Sequence, residues 1–122
     1  MSLTIAETVV RTGLTAHTLR YYERDGLMLA VERSANGHRR YSERDLEWIE
    51  TISRLRATGM PIRDVRRYAE LVRSGGGTEA ERLEILRRHR ERVHRQLVEL
   101  ADHLDSVDTK IAFYSGERAT CG

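Results

Sequence analysis

Residues 4–26 read TIAETVVRTGLTAHTLRYYERDG and predict two short helices joined by a turn. Thr4 and Glu7 have the spacing of a capping box, so the first helix should begin directly after Thr4. Gly13 should end this helix, because glycine readily adopts the left-handed conformation found at helix C-termini, and Thr15 offers an N-cap for the second helix. Two such helices are typical of the helix-turn-helix motif, whose second helix enters a DNA major groove.

The second predicted helix, residues 16–24, carries basic and aromatic side chains near one face. His17, Arg20 and Tyr21 fall on or near this face at helical spacing. Arginine and tyrosine on an exposed helix can reach both base edges and phosphates. Taken alone, the cluster would be read as a solvated face, but its place in a helix-turn-helix favours DNA contact. The Thr15 cap also leaves amides at the start of this helix available to a phosphate. Capping alone would explain a threonine at this position equally well.

A two-stranded wing is predicted after these helices, between residues 28 and 41. Asn36-Gly37 is a strong hairpin signal, because both central positions of a type I′ turn need positive φ. Four potential cations surround the turn: Arg33, His38, Arg39 and Arg40. Such charges add salt-dependent affinity for a DNA backbone. The alternative is that Arg39 and Arg40 pair with Glu32 or Glu43, but surface pairs of this kind contribute little to stability.

Two further helices should follow the wing. Ser42 with Asp45 resembles a capping box, and Pro61 fits the start of the second of these helices, after a break at Gly59. A third basic group surrounds this break: Arg54, Arg56, Arg63, Arg66 and Arg67. This group is a weaker candidate for DNA backbone contact, because amphipathic helices commonly expose such charges to solvent.

The sequence divides at one clear linker, Ser-Gly-Gly-Gly at residues 74–77. We therefore expect a DNA-binding domain in residues 1–73, a long helix over residues 78–114 and a mobile tail over residues 115–122. Apolar residues repeat along the long helix at alternating spacings of three and four, interrupted by Arg90: Leu83, Leu86, Val93, Leu97, Leu100, Leu104, Val107, Ile111 and Tyr114. This heptad seam predicts a coiled coil, and its simplest partner is a second copy of the chain.

Composition limits the remaining function classes. One third of the 122 residues are charged, yet the formal net charge is only +2, so a polyanion would have to meet a local basic surface. Lys110 is the only lysine; arginine suits forked contacts to phosphates and guanines, although a GC-rich genome would also favour it. The hydrophobic fraction of 39% allows one modest core with an appended element.

The same composition points to a cytoplasmic protein. The single cysteine, Cys121, excludes an internal disulfide and a cysteine-rich metal site and favours a reducing compartment. No apolar stretch approaches the roughly 20 residues that span a bilayer, and residues 1–10 lack the features of a signal peptide. We expect no membrane partner.

Taken together, these motifs resemble the MerR family of bacterial transcription regulators. The resemblance is carried by TIAE at residues 4–7, TGLT at 12–15, TLRYYERDGL at 18–27, GHRRY at 37–41 and GMPI at 59–62. It covers residues 3 to about 73, and the long helix matches the family's architecture. The resemblance implies a mainly α, winged helix-turn-helix protein that forms a homodimer through an antiparallel pair of long helices. It also implies binding to a pseudo-palindromic promoter and regulation by twisting the DNA between the two RNA polymerase recognition elements.

The resemblance also implies which residues contact DNA. By position these are Thr15, His17, Arg20 and Tyr21 on the recognition helix, Arg33, Arg39, Arg40 and Tyr41 in the wing, and Arg54 and Arg63 on the flanking backbone. The sequence departs from the family's metal-sensing branch, because residues 75–78 contain no ligand cysteine. It also lacks a cysteine at 49–56, where aldehyde- or thiol-stress members carry one, and a C-terminal effector domain. The resemblance therefore names no inducer, and no metal or other cofactor is expected.

Three other interpretations compete with this one. A DNA-bending accessory factor of the excisionase kind uses a similar winged motif, although such factors usually lack a dimerisation arm. An enzyme could use Cys121 with His103, but a cysteine next to the chain terminus lacks a fixed partner. A metal site could use His89, His94 and His103, but none of these lies four residues from another, which favours solvated helix residues.

Overall fold

The computed structural model describes residues 2–116 and is mainly helical. In chain order its elements are α1 (Ile5–Thr12), α2 (Ala16–Arg24), β1 (Glu32–Arg33), β2 (Arg39–Arg40), α3 (Glu43–Ala57), α4 (Ile62–Ser74) and α5 (Glu79–Tyr114). This order of elements confirms the predicted class, a winged helix-turn-helix followed by a long C-terminal helix. No helix in this part of the chain is long and apolar enough to span a bilayer.

Local capping forms the helix-turn-helix as the sequence predicts. The Thr4 hydroxyl accepts from the Glu7 amide at 3.2 Å, and the Glu7 carboxylate accepts from the Thr4 amide at 2.8 Å. Gly13 ends α1 with φ 76°, in the left-handed region that glycine adopts without strain. The Thr15 hydroxyl accepts from the Thr18 amide at 3.0 Å and so caps α2. These contacts satisfy amides that have no partner inside the helices.

The wing is present, but its turn differs from the prediction. Arg33 pairs with Arg39 across β1 and β2, and the Ser34 amide donates to the His38 carbonyl at 2.7 Å. Gly37 has φ 81°, but Asn36 does not have a positive φ, because every described residue with positive φ is a glycine. The predicted type I′ turn at Asn36-Gly37 is therefore wrong. A three-residue loop, with glycine at its left-handed position, closes the hairpin instead.

One apolar core holds these elements together. Leu19 of α2, Ile52 of α3 and Val65 of α4 are completely buried in it. Trp48 donates its indole N–H to the Leu27 carbonyl at 2.7 Å, so its polar atom is satisfied within the core. Burial of each such side chain stabilises the fold by about 1.5–3 kcal/mol. The core therefore fixes α2, which carries the predicted recognition surface.

The chain forms two compact units, one extending to Arg87 and the other beginning at Arg88. The first unit therefore includes the predicted linker at 74–77 and the first turns of α5. Ile85 belongs to the core of this unit, and the Thr78 hydroxyl donates to the Leu71 carbonyl at 2.9 Å. In the second unit α5 continues to Tyr114. Residues 117–122 of the predicted tail, including Cys121, lie outside the described residues.

Candidate DNA-binding surface

Helix α2 presents its predicted DNA-contacting face to solvent because its opposite face is anchored. Leu19 and Tyr22 are buried in the core, which fixes the rotation of the helix about its axis. His17 and Arg20 are exposed, as is the capping residue Thr15. Within residues 2–116 no carboxylate pairs with Arg20 or His17. The guanidinium of Arg20 is thus available for a forked contact to a base edge or phosphate.

Tyr21 takes an intermediate position on the same helix. Its side chain is half-buried, with its ring 6.2 Å from the Tyr22 ring. The pKa of Asp25, at the end of α2, is lowered mainly by Arg66 and to a smaller extent by the nearby Tyr21 hydroxyl. The structure therefore places Tyr21 at the edge of the α2 face rather than at its centre.

The wing arginines do not pair with the carboxylates considered from sequence. Arg33 and Arg39 both contact Glu23, which lies in the last turn of α2. Arg33 Nη2 lies 3.3 Å from Glu23 Oε1, and the Arg39 Nε donates to the same oxygen. The sequence did not predict Glu23 as a partner. The sequence shows only that an acidic residue lies within a basic helix. Glu23 is 10 positions from Arg33 and 16 positions from Arg39, so local spacing does not predict these contacts.

Arg40 and Tyr41 link the wing to the start of the chain. Arg40 Nε donates to the Ser2 hydroxyl at 3.1 Å and its Nη2 donates to the Ser2 carbonyl at 2.9 Å. Backbone hydrogen bonds of 2.7 and 2.8 Å join Leu3 and Tyr41. Arg40 remains half-buried at the edge of the wing, with part of its side chain open to solvent.

Tyr41 corrects one predicted DNA contact. Its side chain is completely buried, and its hydroxyl has no hydrogen-bond partner in the described part of the chain. Burial raises the pKa of Tyr41, so its phenol stays neutral. A side chain with no accessible surface cannot touch a phosphate. The expected contact of Tyr41 with DNA is therefore wrong for this conformation, and Tyr41 is a core residue.

The third basic group separates into structural and exposed members. Arg66 Nε donates to the Asp25 carbonyl at 3.0 Å, and its Nη2 lies 2.5 Å from the Asp25 carboxylate. This contact with Arg66 is the main cause of the lowered pKa of Asp25. Arg73, also on α4, donates to the carbonyls of Gly26 and Met28 at 2.9 and 2.7 Å. These α4 arginines therefore fix the C-terminal end of the recognition helix.

Two further arginines of this group are also engaged within the protein. Arg56 donates to the Met60 carbonyl at 2.7 Å. Arg67 Nη1 lies 2.9 Å from Glu70 Oε1, and its Nη2 lies 2.9 Å from Glu81 Oε2. Arg67 therefore links α4 to the first turn of α5. These arginines have structural partners, which leaves Arg54 and Arg63 as the candidates for contact with flanking DNA.

Arg54 and Arg63 are exposed, as their predicted role requires. Arg54 pairs with Glu50 one turn earlier on α3. The Arg63 side chain is 83% exposed, and its nearest carboxylate, that of Asp64, lies 4.0 Å away. Exposed pairs of this kind contribute little and exchange easily for a phosphate.

The histidines of α5 depart from the sequence interpretation at one position. His94 and His103 are exposed, as expected, but His89 is buried. Burial lowers the pKa of His89, and the neighbouring Arg92, 3.0 Å from its Nδ1, acts in the same direction. The described residues contain no cluster of three or more histidine, cysteine or acidic side chains that could hold a metal. Cys121, invoked in the enzyme interpretation, lies outside these residues.

The predicted seam of α5 is mostly exposed beyond Arg88. Its exposed members are Leu97, Leu100, Leu104, Val107, Ile111 and Tyr114. Val93 is half-buried, and the seam members before Arg88, Leu83 and Leu86, are also exposed. Val98 and Phe113 are exposed apolar residues that the heptad pattern did not include.

An anchored helix-turn-helix, an adjacent wing and exposed arginines on both define a winged helix-turn-helix DNA-binding module. Comparison with known proteins agrees with this class. Residues 3–71 match the family described as MerR HTH family regulatory protein, and residues 46–110 match the one described as MerR, DNA binding. An HTH-type transcriptional regulator of Haemophilus influenzae is 36% identical over 119 residues, covering 98% of this chain and 88% of the relative.

Solved structures give the same result. HiNmlR, a MerR family regulator lacking the sensor domain and crystallised with promoter DNA, has a TM-score of 0.88 at 36% identity. That comparison covers 95% of this chain and 92% of HiNmlR. A MerR family regulator from Listeria monocytogenes has a TM-score of 0.90 at 34% identity, over 93% of this chain and 86% of the other. The chain belongs to the MerR family. It is a DNA-binding transcription regulator, and these relatives are regulators rather than enzymes.

Proposed function

We propose that this protein acts as a homodimer on a pseudo-palindromic promoter and regulates transcription by distorting the spacer DNA. The exposed, unpaired Arg20 face of α2 is the observation that carries the DNA-binding part of this proposal. The crystallisation of HiNmlR with promoter DNA supports the choice of a promoter as the target. The family resemblance supports RNA polymerase as a partner at that promoter and the cytoplasm as the place of action.

The homodimer is supported by the apolar face of α5. Leucines and other large apolar side chains are exposed along it from Leu97 to Tyr114. A stripe of this kind loses its contact with water when a second α5 packs against it, as in a coiled coil. An antiparallel pairing places one DNA-binding module at each end. Two linked modules gain affinity by effective concentration on a DNA site with two halves.

The DNA contacts divide by chemistry. Thr15, His17, Arg20 and Tyr21 act from α2, with Arg20 as the candidate for direct base readout. Arg33, Arg39 and Arg40 contact the backbone from the wing, and Arg54 and Arg63 contact the flanking backbone. Because Tyr41 is buried, it is not part of this contact set.

A DNA-bending accessory protein of the excisionase kind remains the second candidate. The exposed face of α5 disfavours it, because such proteins usually lack a dimerisation arm. Nuclease footprints at chromosomal sites separate the two candidates. Protection of promoter spacers supports the regulator, whereas protection confined to sites outside promoters favours the accessory protein.

Arg20→Ala and Arg63→Ala together test the proposed contacts. The probes are a duplex selected from a random library by the parent protein and a scrambled duplex of equal composition. Arg20→Ala should weaken binding to the selected duplex by about 1–3 kcal/mol and leave binding to the scrambled duplex nearly unchanged. Arg63→Ala should weaken both equally and reduce the slope of log affinity against log salt by about 1. An equal loss on both duplexes for Arg20→Ala would remove the base-reading role.

A further inference from the structure

Glu23 joins the recognition helix to both strands of the wing. Arg33 and Arg39 are directly paired across β1 and β2, and both guanidinium groups meet the same Glu23 carboxylate oxygen. Among residues 2–116, no other ion pair or side-chain hydrogen bond connects α2 with the wing. Glu23 is therefore the polar link between α2 and two of the wing arginines, Arg33 and Arg39.

A carboxylate at this position opposes DNA binding by its charge alone. DNA is a polyanion, and its affinity for a protein rises with the number of cations that meet its phosphates. Glu23 cancels one of the two arginine charges beside it and repels nearby phosphates. Its contribution to function must therefore come from geometry rather than from attraction.

The two arginines are not equivalent in this cluster. The Arg33 side chain is 46% exposed, and its Nη2 lies 3.3 Å from Glu23, whereas the Arg39 side chain is 24% exposed. Arg33 can therefore turn to a phosphate while the Nε of Arg39 keeps Glu23 paired and the terminal nitrogens of Arg39 face the DNA backbone. This exchange avoids leaving a partly buried carboxylate without a partner, which would be costly. One carboxylate shared by two arginines thus allows one cation to leave and one to stay.

We propose that Glu23 is a positioning residue that sets the specificity of DNA binding. It holds Arg39 against α2 and so aligns the wing with the recognition helix, and it releases Arg33 to a phosphate when α2 occupies the major groove in the matching frame. Without Glu23 both arginines reach phosphates from many poses, which strengthens sequence-independent binding. Specificity is the difference between two affinities, so suppression of non-specific binding raises it. This inference rests on the proposed contact between wing and DNA.

Glu23→Gln tests the role, with Glu32→Gln as the matched control. Both variants remove one negative charge near the wing, but Glu32 lies on β1 opposite Arg40 and makes no ion pair within the described chain. The measurement is fluorescence anisotropy on the selected and scrambled duplexes at several salt concentrations. Thermal melting by circular dichroism reports whether each variant is folded.

Glu23→Gln should lower the ratio of selected to scrambled affinity about tenfold, mainly by strengthening binding to the scrambled duplex. Glu32→Gln should strengthen binding to both duplexes alike and leave the ratio within about twofold. Equal ratios for the two variants, or an equal loss on both duplexes for Glu23→Gln, would overturn the proposal.

The arginines provide a second, independent measurement. Arg39→Ala should also lower the ratio, here through weaker binding to the selected duplex, because it removes the alignment contact without freeing a cation; the double variant should show no further loss of the ratio. Arg33→Ala should weaken binding to the selected duplex and flatten its salt dependence there, and it should leave binding to the scrambled duplex nearly unchanged. Additive losses in the double variant would overturn the proposal. If the parent protein itself did not prefer the selected duplex, the proposed function would fail. If the parent and Glu23→Gln preferred the selected duplex equally, only the inference about Glu23 would fail.

Discussion

The chain up to Arg87 and the part of α5 beyond it use the same apolar residue types in opposite ways. In the first unit, Ile52 and Val65 have no exposed surface. In the second, Leu97, Leu100 and Leu104 are 61%, 66% and 60% exposed. The first unit buries a core of hydrophobic side chains, although Val10, Leu83 and Leu86 stay exposed. The described part of the second unit is one helix, which has no other element to bury its apolar residues. A helix gains most of its stability from the packing of its apolar face, which is why we propose a partner helix for the second unit.

The largest effect is expected from a charge placed on the exposed seam. Leu104→Glu would bury a carboxylate against apolar partners in the proposed dimer, at a cost of several kcal/mol. We expect the dimer dissociation constant to rise at least about a hundredfold, which corresponds to about 3 kcal/mol. Sedimentation velocity across a concentration series measures this change.

Ser106→Glu is the matched control, because it adds the same charge two residues away, on another side of α5. It should leave the dimer intact. A parent protein that is monomeric at high concentration, or a Leu104→Glu variant that remains as dimeric as Ser106→Glu, would contradict the comparison between the two units.

A second effect, on folding rather than on dimerisation, is expected near the start of α5, where two consecutive residues differ in burial. Ile85 is 6% exposed and packs in the core of the first unit, whereas Leu86 is exposed. Ile85→Ala should lower the free energy of unfolding by about 2–5 kcal/mol, because it leaves a cavity. Leu86→Ala should have a clearly smaller effect on folding. Urea titration followed by the fluorescence of Trp48, the single tryptophan, compares the two at one protein concentration. Equal losses would mean that Ile85 is not part of the core.

The smallest effect is expected at Tyr41. Tyr41→Phe removes a buried hydroxyl that has no hydrogen-bond partner among the described residues, so stability should stay equal or rise by about 1 kcal/mol. DNA affinity should not change. Tyr21→Phe is the comparison, since its hydroxyl lies at the edge of the α2 face, and this variant should weaken binding to the selected duplex. Weaker DNA binding by Tyr41→Phe would show that Tyr41 leaves the core on DNA.

The sequence predicted those parts of the fold that depend on near neighbours. The capping residues Thr4 and Thr15 specify where α1 and α2 begin, and each acts on an amide three residues away. The apolar period of α5 is likewise local, which is why the long helix could be predicted. The wing was predicted, but its turn type was not, because Asn36-Gly37 is compatible with more than one hairpin loop.

Features that depend on distant residues could not be read from the sequence. Glu23 meets Arg39, 16 positions away, and Arg66 meets Asp25, 41 positions away. The burial of Tyr41 and His89 depends on how the chain packs, since both residue types occur on surfaces and in cores. Sequence periodicity predicts which faces are apolar, and it cannot say which charged partner a side chain will find.

We expect two winged modules, joined through the distal part of α5, to occupy one DNA site together. Native mass spectrometry of the parent protein with the selected duplex measures the number of chains per DNA directly. We predict two chains per duplex for the parent and for Ser106→Glu, with one weakly bound chain for Leu104→Glu. A single tightly bound chain per duplex in the parent protein would contradict this expectation.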